Sequence, residues 1–337
     1  IPLFPEDITV AEVLKKAGYV NGGFGKWGLG NQGKDGAAER QGFDLFYGYY
    51  NQWHAHTYYT HLFRNSKKVE LNGRYTHHAI FDETIKFIKK NKNKPFFLYC
   101  PWTPPHAAYQ IPEDEPAWKM YQDKPWPHDA RVAAAMDTMM DRHVGEITAL
   151  LKKLGLYQNT LMFFTSDNGA AKRFDGIHNS SGVMQGKKRS LNEGGIRVPM
   201  VVRWPGKIKA GRVSSHPWYF PDVMPTFAEI GGVSTEVPED IDGISILPTL
   251  LDKGVQKQHE YMFWQYGVRA VRSGKWKGIG KGGHLYLYDL SEDIEEKNDL
   301  SSRHPEITAR MKKYITIGYR EPRSQKDDGK YTGKDKK

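Results

Sequence analysis

One cysteine in 337 residues, Cys100, excludes an internal disulfide framework and any cysteine-built zinc cluster. No stretch approaches the roughly 18 consecutive apolar residues of a membrane helix, so a soluble chain with no membrane partner is expected. P-loop and Rossmann fingerprints are absent, as are internal repeats, zinc-finger spacing, an RNA-binding signature and a basic zipper. Nucleic acid is therefore not an expected partner, even though Lys plus Arg (49) exceed Asp plus Glu (39), a net charge of +10. Without such motifs, a positive balance points to an anionic small substrate or polysaccharide. The chain opens Ile-Pro-Leu-Phe-Pro, lacking an initiator Met, a charged n-region and an apolar h-region, so a processed chain or a fragment is expected. Aromatics are not scarce: at 13% of residues they supply enough apolar surface for a packed core, which argues against disorder.

Thr9 and Glu12 form a capping-box pattern ahead of Val10, Val13 and Leu14, which predicts a helix over 8–19. A glycine-rich run, Gly22 to Gly30, follows and reads as a tight turn or as a loop admitting an anion. A second amphipathic helix is predicted over Asp82–Lys90, then a fully buried strand over Pro95–Cys100. The strongest helical pattern spans Arg131–Leu154, with Gly155 placed as its C-terminal stop. Buried strands are predicted at Thr160–Thr165 and Val198–Val202. Strands alternating with helices of this length indicate an α/β domain with a largely parallel sheet. Beyond Leu251 the texture changes to four short aromatic-rich strands and a helix over about 305–314, a small antiparallel sheet with one helix. The expected division is an α/β domain over 1–252, a C-terminal subdomain over 253–320 and a mobile charged tail over 321–337.

Few residues in these segments suggest chemistry by themselves. Asp167 and Asn168 leave the end of a strand, where ligand sites gather in α/β sheets, and offer hard oxygens of the kind calcium and magnesium prefer. An Asx turn accounts for them equally well. Lys26 lies in the glycine-rich run, His106 in a proline-fixed loop after a strand, and Lys187-Lys188 ahead of Glu193-Gly194-Gly195; each also reads as an ordinary loop residue. His54, His56 and His61 cluster among aromatics as pocket or packing residues. Cys100, in mid-strand, reads as a buried structural thiol.

Taken in order, five segments resemble the formylglycine-dependent (type I, arylsulfatase-like) sulfatases. They are the 9–19 helix with Gly25-Lys26-Trp27, Gln41-Gly42-Phe43-Asp44 with Phe46-Tyr47-Gly48, and Pro95-Phe96-Phe97-Leu98 with Pro105-His106. Ser166-Asp167-Asn168-Gly169 and Glu193-Gly194-Gly195-Ile196-Arg197-Val198-Pro199 complete the set, and the correspondence runs through nearly the whole chain. The resemblance implies an alkaline-phosphatase-like fold, a large mixed sheet flanked by helices with a small C-terminal antiparallel sheet and helix. It implies hydrolysis of a sulfate ester, on a sulfated carbohydrate or related small molecule, and a periplasmic or secreted location. Asp167 and Asn168 are implied as two of four ligands to a calcium ion, preferred over magnesium. Lys26, His106 and Lys188 are implied to hold the sulfate oxygens and steady the leaving group, where cations stabilise the growing negative charge.

The sequence departs from the family pattern twice. Where the family has His two residues after the loop lysine, this chain has Gly28, and His56 is expected to stand in as a substrate-binding residue. The family's nucleophile, a formylglycine made from Cys or Ser in Cys/Ser-x-Pro-x-Arg, has no counterpart: Cys100-Pro101-Trp102 does not fit and Ser215-His216-Pro217-Trp218-Tyr219 lacks the arginine. An upstream segment bearing that residue and two further Asp ligands is expected. Without it the chain is expected to be inactive and to expose a sheet edge with apolar surface. The alternatives are a phosphodiesterase or phosphonate hydrolase of the same superfamily, or an inactive module that binds sulfated glycans.

Overall fold

The computed structural model describes residues 2–321; of the tail expected over 321–337, all but Glu321 lies outside the described residues. In chain order the elements are α1 (Val10–Lys16), β1 (Val20–Lys26), β2 (Leu45–Tyr49), β3 (Leu62–Arg64), β4 (Lys67–Val69), α2 (Thr76–Asn91), β5 (Phe96–Tyr99), α3 (Pro116–Lys119) and α4 (His128–Lys153). They continue with β6 (Met162–Thr165), α5 (Glu193–Ile196), β7 (Met200–Arg203), α6 (Val223–Gly231) and α7 (Leu247–Leu251). The last are β8 (Met262–Tyr266), β9 (Val268–Ser273), β10 (Trp276–Lys281), β11 (His284–Asp289) and α8 (Pro305–Ile317). Two compact units result. The first takes residues up to Thr160, with Trp204–Lys207 and Phe220–Leu251; the second takes Leu161–Arg203, Ile208–Tyr219 and the residues from Asp252 on. The chain is thus cut differently from the expected 1–252 and 253–320, because 161–203 group with the C-terminal sheet.

In the first unit α1 carries the expected capping box: Glu12 N–H donates to Thr9 Oγ1 and Thr9 N–H to the Glu12 carboxylate. The sheet has the order β4-β3-β2-β1-β5, with β1 parallel to β2 and β5 and the β2-β3-β4 part antiparallel. The glycine-rich run expected as a loop forms, through Lys26, the buried strand between β2 and β5. A Cβ on Gly22 would sit 2.8 Å from the Phe87 ring of α2, so the missing side chain is what lets aromatic rings lie directly on this backbone. Asn65, at φ 48°, makes the two-residue turn that folds β3 onto β4. β5 was expected to be fully buried but lies at the sheet edge, with Tyr99 43% exposed.

α2 begins six residues before Asp82, because its first inward residues are Thr76, His77 and Ala79, which give no apolar periodicity. His77 Nε2 and His143 Nδ1 share a hydrogen bond of 3.0 Å that joins α2 to α4, and the His143 ring stacks on Phe81 at 3.9 Å. Below them Met136 and Met139 fill the α4 interface at 0% exposure.

The second unit holds two sheets. Among the described residues β6 pairs only with β7, antiparallel, and not within a parallel sheet as expected. Their connection, residues 166–199, forms only one four-residue helix and a 3-10 turn, with no long helix of the kind that usually carries a chain back to a parallel neighbour. Their cross-strand partners Phe164 and Val201 are 41% and 61% exposed. The C-terminal sheet, order β11-β10-β9-β8, is antiparallel as expected, and α8 lays Met311 and Tyr314 against it with Pro305 in its first turn.

The His77–His143 pair predicts how the first unit responds to acid. Burial pushes His77 well below the usual imidazole value, reinforced by His143, His78 and Arg142; burial, then Arg142 and His78, brings His143 down to about 3. The unfolded chain takes up protons near pH 6.5 at both rings while the folded chain does not. Stability is therefore complete above about 6.5 and falls as the pH drops below it, by up to about 1.4 kcal/mol per pH unit for each ring. Urea titrations between pH 7 and 5 should show this decline, and His143→Gln should remove about half of the slope.

Candidate active site

Parallel pairing brings the carboxyl ends of β1, β2 and β5 to one edge of the first unit's sheet, and the three following loops are laced together there. Lys26 N–H donates to Pro101 O at 2.8 Å, Trp27 N–H to Tyr49 O at 2.8 Å and Gly28 N–H to Tyr50 O at 3.1 Å. Lys26, the last residue of β1, is half-buried at this edge. After β2 the chain turns at Asn51, whose Oδ1 accepts the Trp53 and His54 N–H groups, and enters a 3-10 turn over His54–His56. After β5 it passes Pro101 to His106.

These two loops meet in a pair of imidazoles. The rings of His56 and His106 stack with centroids 4.1 Å apart and planes 10° apart. Ala108 N–H donates to His56 O at 2.8 Å, and the fully buried Tyr58 donates its hydroxyl to His106 O at 3.0 Å. Trp53, 54% exposed, sets its ring edge-on to His56 at 5.7 Å. The histidine cluster of the sequence thus divides. His54 packs on His61 at 4.2 Å and meets Thr60 Oγ1 at 3.0 Å, and burial with the neighbouring His61 and Lys68 brings it down to about 4. Beside Gly28 the space a Cβ would enter is taken by Gln52, 2.0 Å from that position, so a residue of the β2 loop fills the place of the absent side chain.

In the second unit β6 delivers Ser166, Asp167 and Asn168. Ser166 Oγ donates to Asn168 O at 3.1 Å, and Asn168 Nδ2 donates to Gly169 O at 3.1 Å. The Asn168 Oδ1 is the acceptor atom left for a cation. Asp167 is exposed, and among the described residues its carboxylate has no ion pair or hydrogen bond. Lys188 N–H donates to Ala170 O at 2.8 Å, which ties its backbone to this loop. Lys187 forms an ion pair with Asp175, whereas the Lys188 ammonium makes none among the described residues. Two hard oxygens suit calcium but supply only part of the six to eight it takes. Among the described residues no group of three or more His, Cys, Asp or Glu is gathered to hold a metal.

Comparison with known proteins gives this arrangement its context. The sulfatase family model matches residues 2–233, and a second model, the C-terminal part of N-sulphoglucosamine sulphohydrolase, matches 185–318. The chain belongs to the sulfatase family. N-acetylgalactosamine-6-sulfatase of Canis lupus familiaris is 30% identical over 298 residues, which cover 81% of this chain and 54% of that protein. Steryl-sulfatase of Mus musculus is 35% identical over 213 residues, 59% of this chain and 32% of that protein. The chain therefore spans about half or less of the curated relatives it matches. Among solved structures, Ps i-CgsB in complex with k-i-k-neocarrahexaose superposes with a TM-score of 0.82 at 27% identity, covering 94% of this chain and 75% of that one. The fold is alkaline-phosphatase-like, with a mixed sheet, flanking helices and a small C-terminal antiparallel sheet plus helix. No described helix is long and apolar enough to cross a membrane.

Sequence reading missed Gln52, Trp53 and, in the second unit, Lys277. Trp53 lies in a stretch without a motif of its own, and Lys277 lies in an aromatic-rich strand where nothing local sets it apart.

Cys100, expected buried in mid-strand, is half-buried just beyond the last residue of β5. It packs against the core cluster under α2, and burial pushes its thiol up to about 12, so little thiolate exists at neutral pH. Iodoacetamide should leave Cys100 unmodified in the folded chain and label it fully in denaturant, as read by peptide mass spectrometry.

Proposed function

We propose that the protein hydrolyses a sulfate ester carried on a carbohydrate. The observation that carries this reading is the stacked His56–His106 pair at the carboxyl-end edge that also bears Lys26, in a chain of the sulfatase family. A sulfate monoester gathers negative charge as its ester bond breaks, and preorganised cationic and hydrogen-bonding groups stabilise that charge. Lys26 supplies an ammonium group for the sulfate oxygens, the role that motif order also gives Lys188. His106 steadies the leaving oxygen. His56, its ring held parallel to His106, takes the role left open at Gly28 and binds substrate beside it.

Asp167 and Asn168 would hold a calcium ion, whose charge polarises the sulfate. The nucleophile of this reading is a formylglycine from a Cys/Ser-x-Pro-x-Arg segment, a pattern that this sequence does not contain. Carbohydrate as the carrier is supported by Trp53, whose exposed ring beside His56 offers a flat apolar face of the kind on which a sugar ring stacks. It is supported also by the names of the relatives, an N-acetylgalactosamine-6-sulfatase and a structure complexed with k-i-k-neocarrahexaose. A periplasmic or secreted location accompanies this reading.

The deciding experiment is intact-protein and peptide mass spectrometry on the natural gene product, with sulfate release from sulfated saccharides assayed alongside. A Cys or Ser ahead of x-Pro-x-Arg carrying the formylglycine mass change, together with sulfate release, is the expected result. A natural product beginning at Ile1 and binding sulfated glycans without turnover would replace it with a glycan-binding module. An upstream unmodified Ser or Thr with preference for phosphoesters would mark a phosphodiesterase or phosphonate hydrolase. In the active protein His56→Ala should lower kcat/KM by about 100-fold, the scale of one positioned imidazole. Unchanged turnover would remove His56 from the site.

A further inference from the structure

Lys277 of β10 is 0% exposed, and its ammonium lies 2.8 Å from Glu193 Oε1 and 2.8 Å from Glu296 Oε1. Both carboxylates are buried as well. Glu296 also accepts the Glu193 N–H through Oε2 at 2.7 Å, and its backbone carbonyl accepts Gln185 Nε2 at 3.2 Å. An ion triad without water around it is costly to assemble and holds its members in one geometry. Burial pushes the Glu193 carboxyl up, but Lys277 beside it, with Arg272 and Arg197, outweighs this and keeps it below the usual carboxylate range.

What the triad grips is the start of α5. From there the backbone is tied back to both candidate loops of this unit. Gly194 N–H donates to Gln185 O at 2.7 Å, Gly169 N–H to Gly195 O at 2.9 Å and Lys188 N–H to Ala170 O at 2.8 Å. The fit is tight: a Cβ on Gly169 would lie 2.0 Å from Gly194 O. On the same loop Leu191 inserts among Ala270, Ile279 and Tyr288 of the small sheet, an apolar anchor next to the charged one. Movement of Glu193 would therefore be passed to Gly194 and Gly195, and from them to the loops bearing Asn168 and Lys188.

We infer that Lys277 is a positioning residue: through Glu193 it fixes the backbone that presents Lys188 and the Asp167-Asn168 turn. The inference rests on the sulfatase reading for its catalytic consequence but not for its structural one, so the test has two arms. In the first, hydrogen exchange is followed by mass spectrometry in the 337-residue chain. Lys277→Met should speed exchange at least about 10-fold in peptides covering 166–170 and 186–195, while peptides from β11 keep their protection. Unchanged exchange in 166–195, or equal loss in β11, overturns the inference.

In the second arm, sulfate release by the natural gene product is measured well below its unfolding midpoint in a double-mutant cycle with Lys188→Ala. Lys277→Met should lower kcat by about 10-fold or more alone and by a clearly smaller factor once Lys188 is alanine, because the part of its effect that runs through Lys188 is then already lost. Equal losses in both backgrounds, which a general loss of stability would produce, overturn it, as does an unchanged kcat. If Lys277→Met does not fold, Glu193→Gln carries both arms, since it keeps the side-chain shape and leaves Lys277 paired with Glu296. A wild-type product that releases no sulfate removes the functional reading, and the exchange arm then decides the positioning role.

Discussion

Parallel pairing of β1 with both β2 and β5 is the constraint from which the chemistry of the first unit follows. Strands that run the same way end at the same edge, so Lys26, the β2 loop and the β5 loop arrive together without any of their side chains having to attract one another. Backbone hydrogen bonds from residues 26, 27 and 28 then tie those loops to each other before any side chain is placed. The requirement reaches into composition. A strand paired on both sides leaves little room here: a Cβ at 22 would lie 2.8 Å from the Phe87 ring and one at 23 3.2 Å from the Phe43 and Phe46 rings, so these glycines serve packing.

The second unit holds its candidate groups by other means. Its two-stranded sheet is short and offers little rigidity to the turn at Asp167. The loop over 185–197 is fastened instead to the small antiparallel sheet, by Leu191 in an apolar cluster and by Glu193 on a buried ammonium. Removing Lys277 from the triad would leave two buried carboxylates without their shared ammonium, which costs about 3–5 kcal/mol, so the geometry is all but fixed once the unit folds. The C-terminal sheet thus supports the candidate site without contributing a group to it.

Much of this was legible along the chain. The Thr9–Glu12 capping box, the long α4 pattern with Gly155 after it, and the four aromatic-rich strands closed by Pro305 were readable because each depends on neighbours a few residues away. The early turns of α2 were not, since Thr76 and His77 face inward as polar residues satisfied by partners such as His143, remote in sequence. The strand at 20–26 was misread for the same reason, as the rings that pack on its glycines come from residues 43, 46 and 87. Lys26, His106, Asp167, Asn168 and Lys188 were marked through motif order, and His56 by its place among aromatics.

By itself the sequence determined the family, the alternation of strands and helices, and the residue types available for binding an anion, because these are written in local pattern and motif order. Only the tertiary structure decided that His56 and not His54 or His61 stacks on His106, that Gln52 fills the space beside Gly28, and that Lys188 and not Lys187 is left without an ion pair among the described residues. It also decided that Lys277 meets Glu193, 84 residues away in the chain. Identical side chains a few positions apart differ only in what surrounds them. Burial, stacking and charge pairing are set by contacts between distant segments, and local sequence does not encode those contacts.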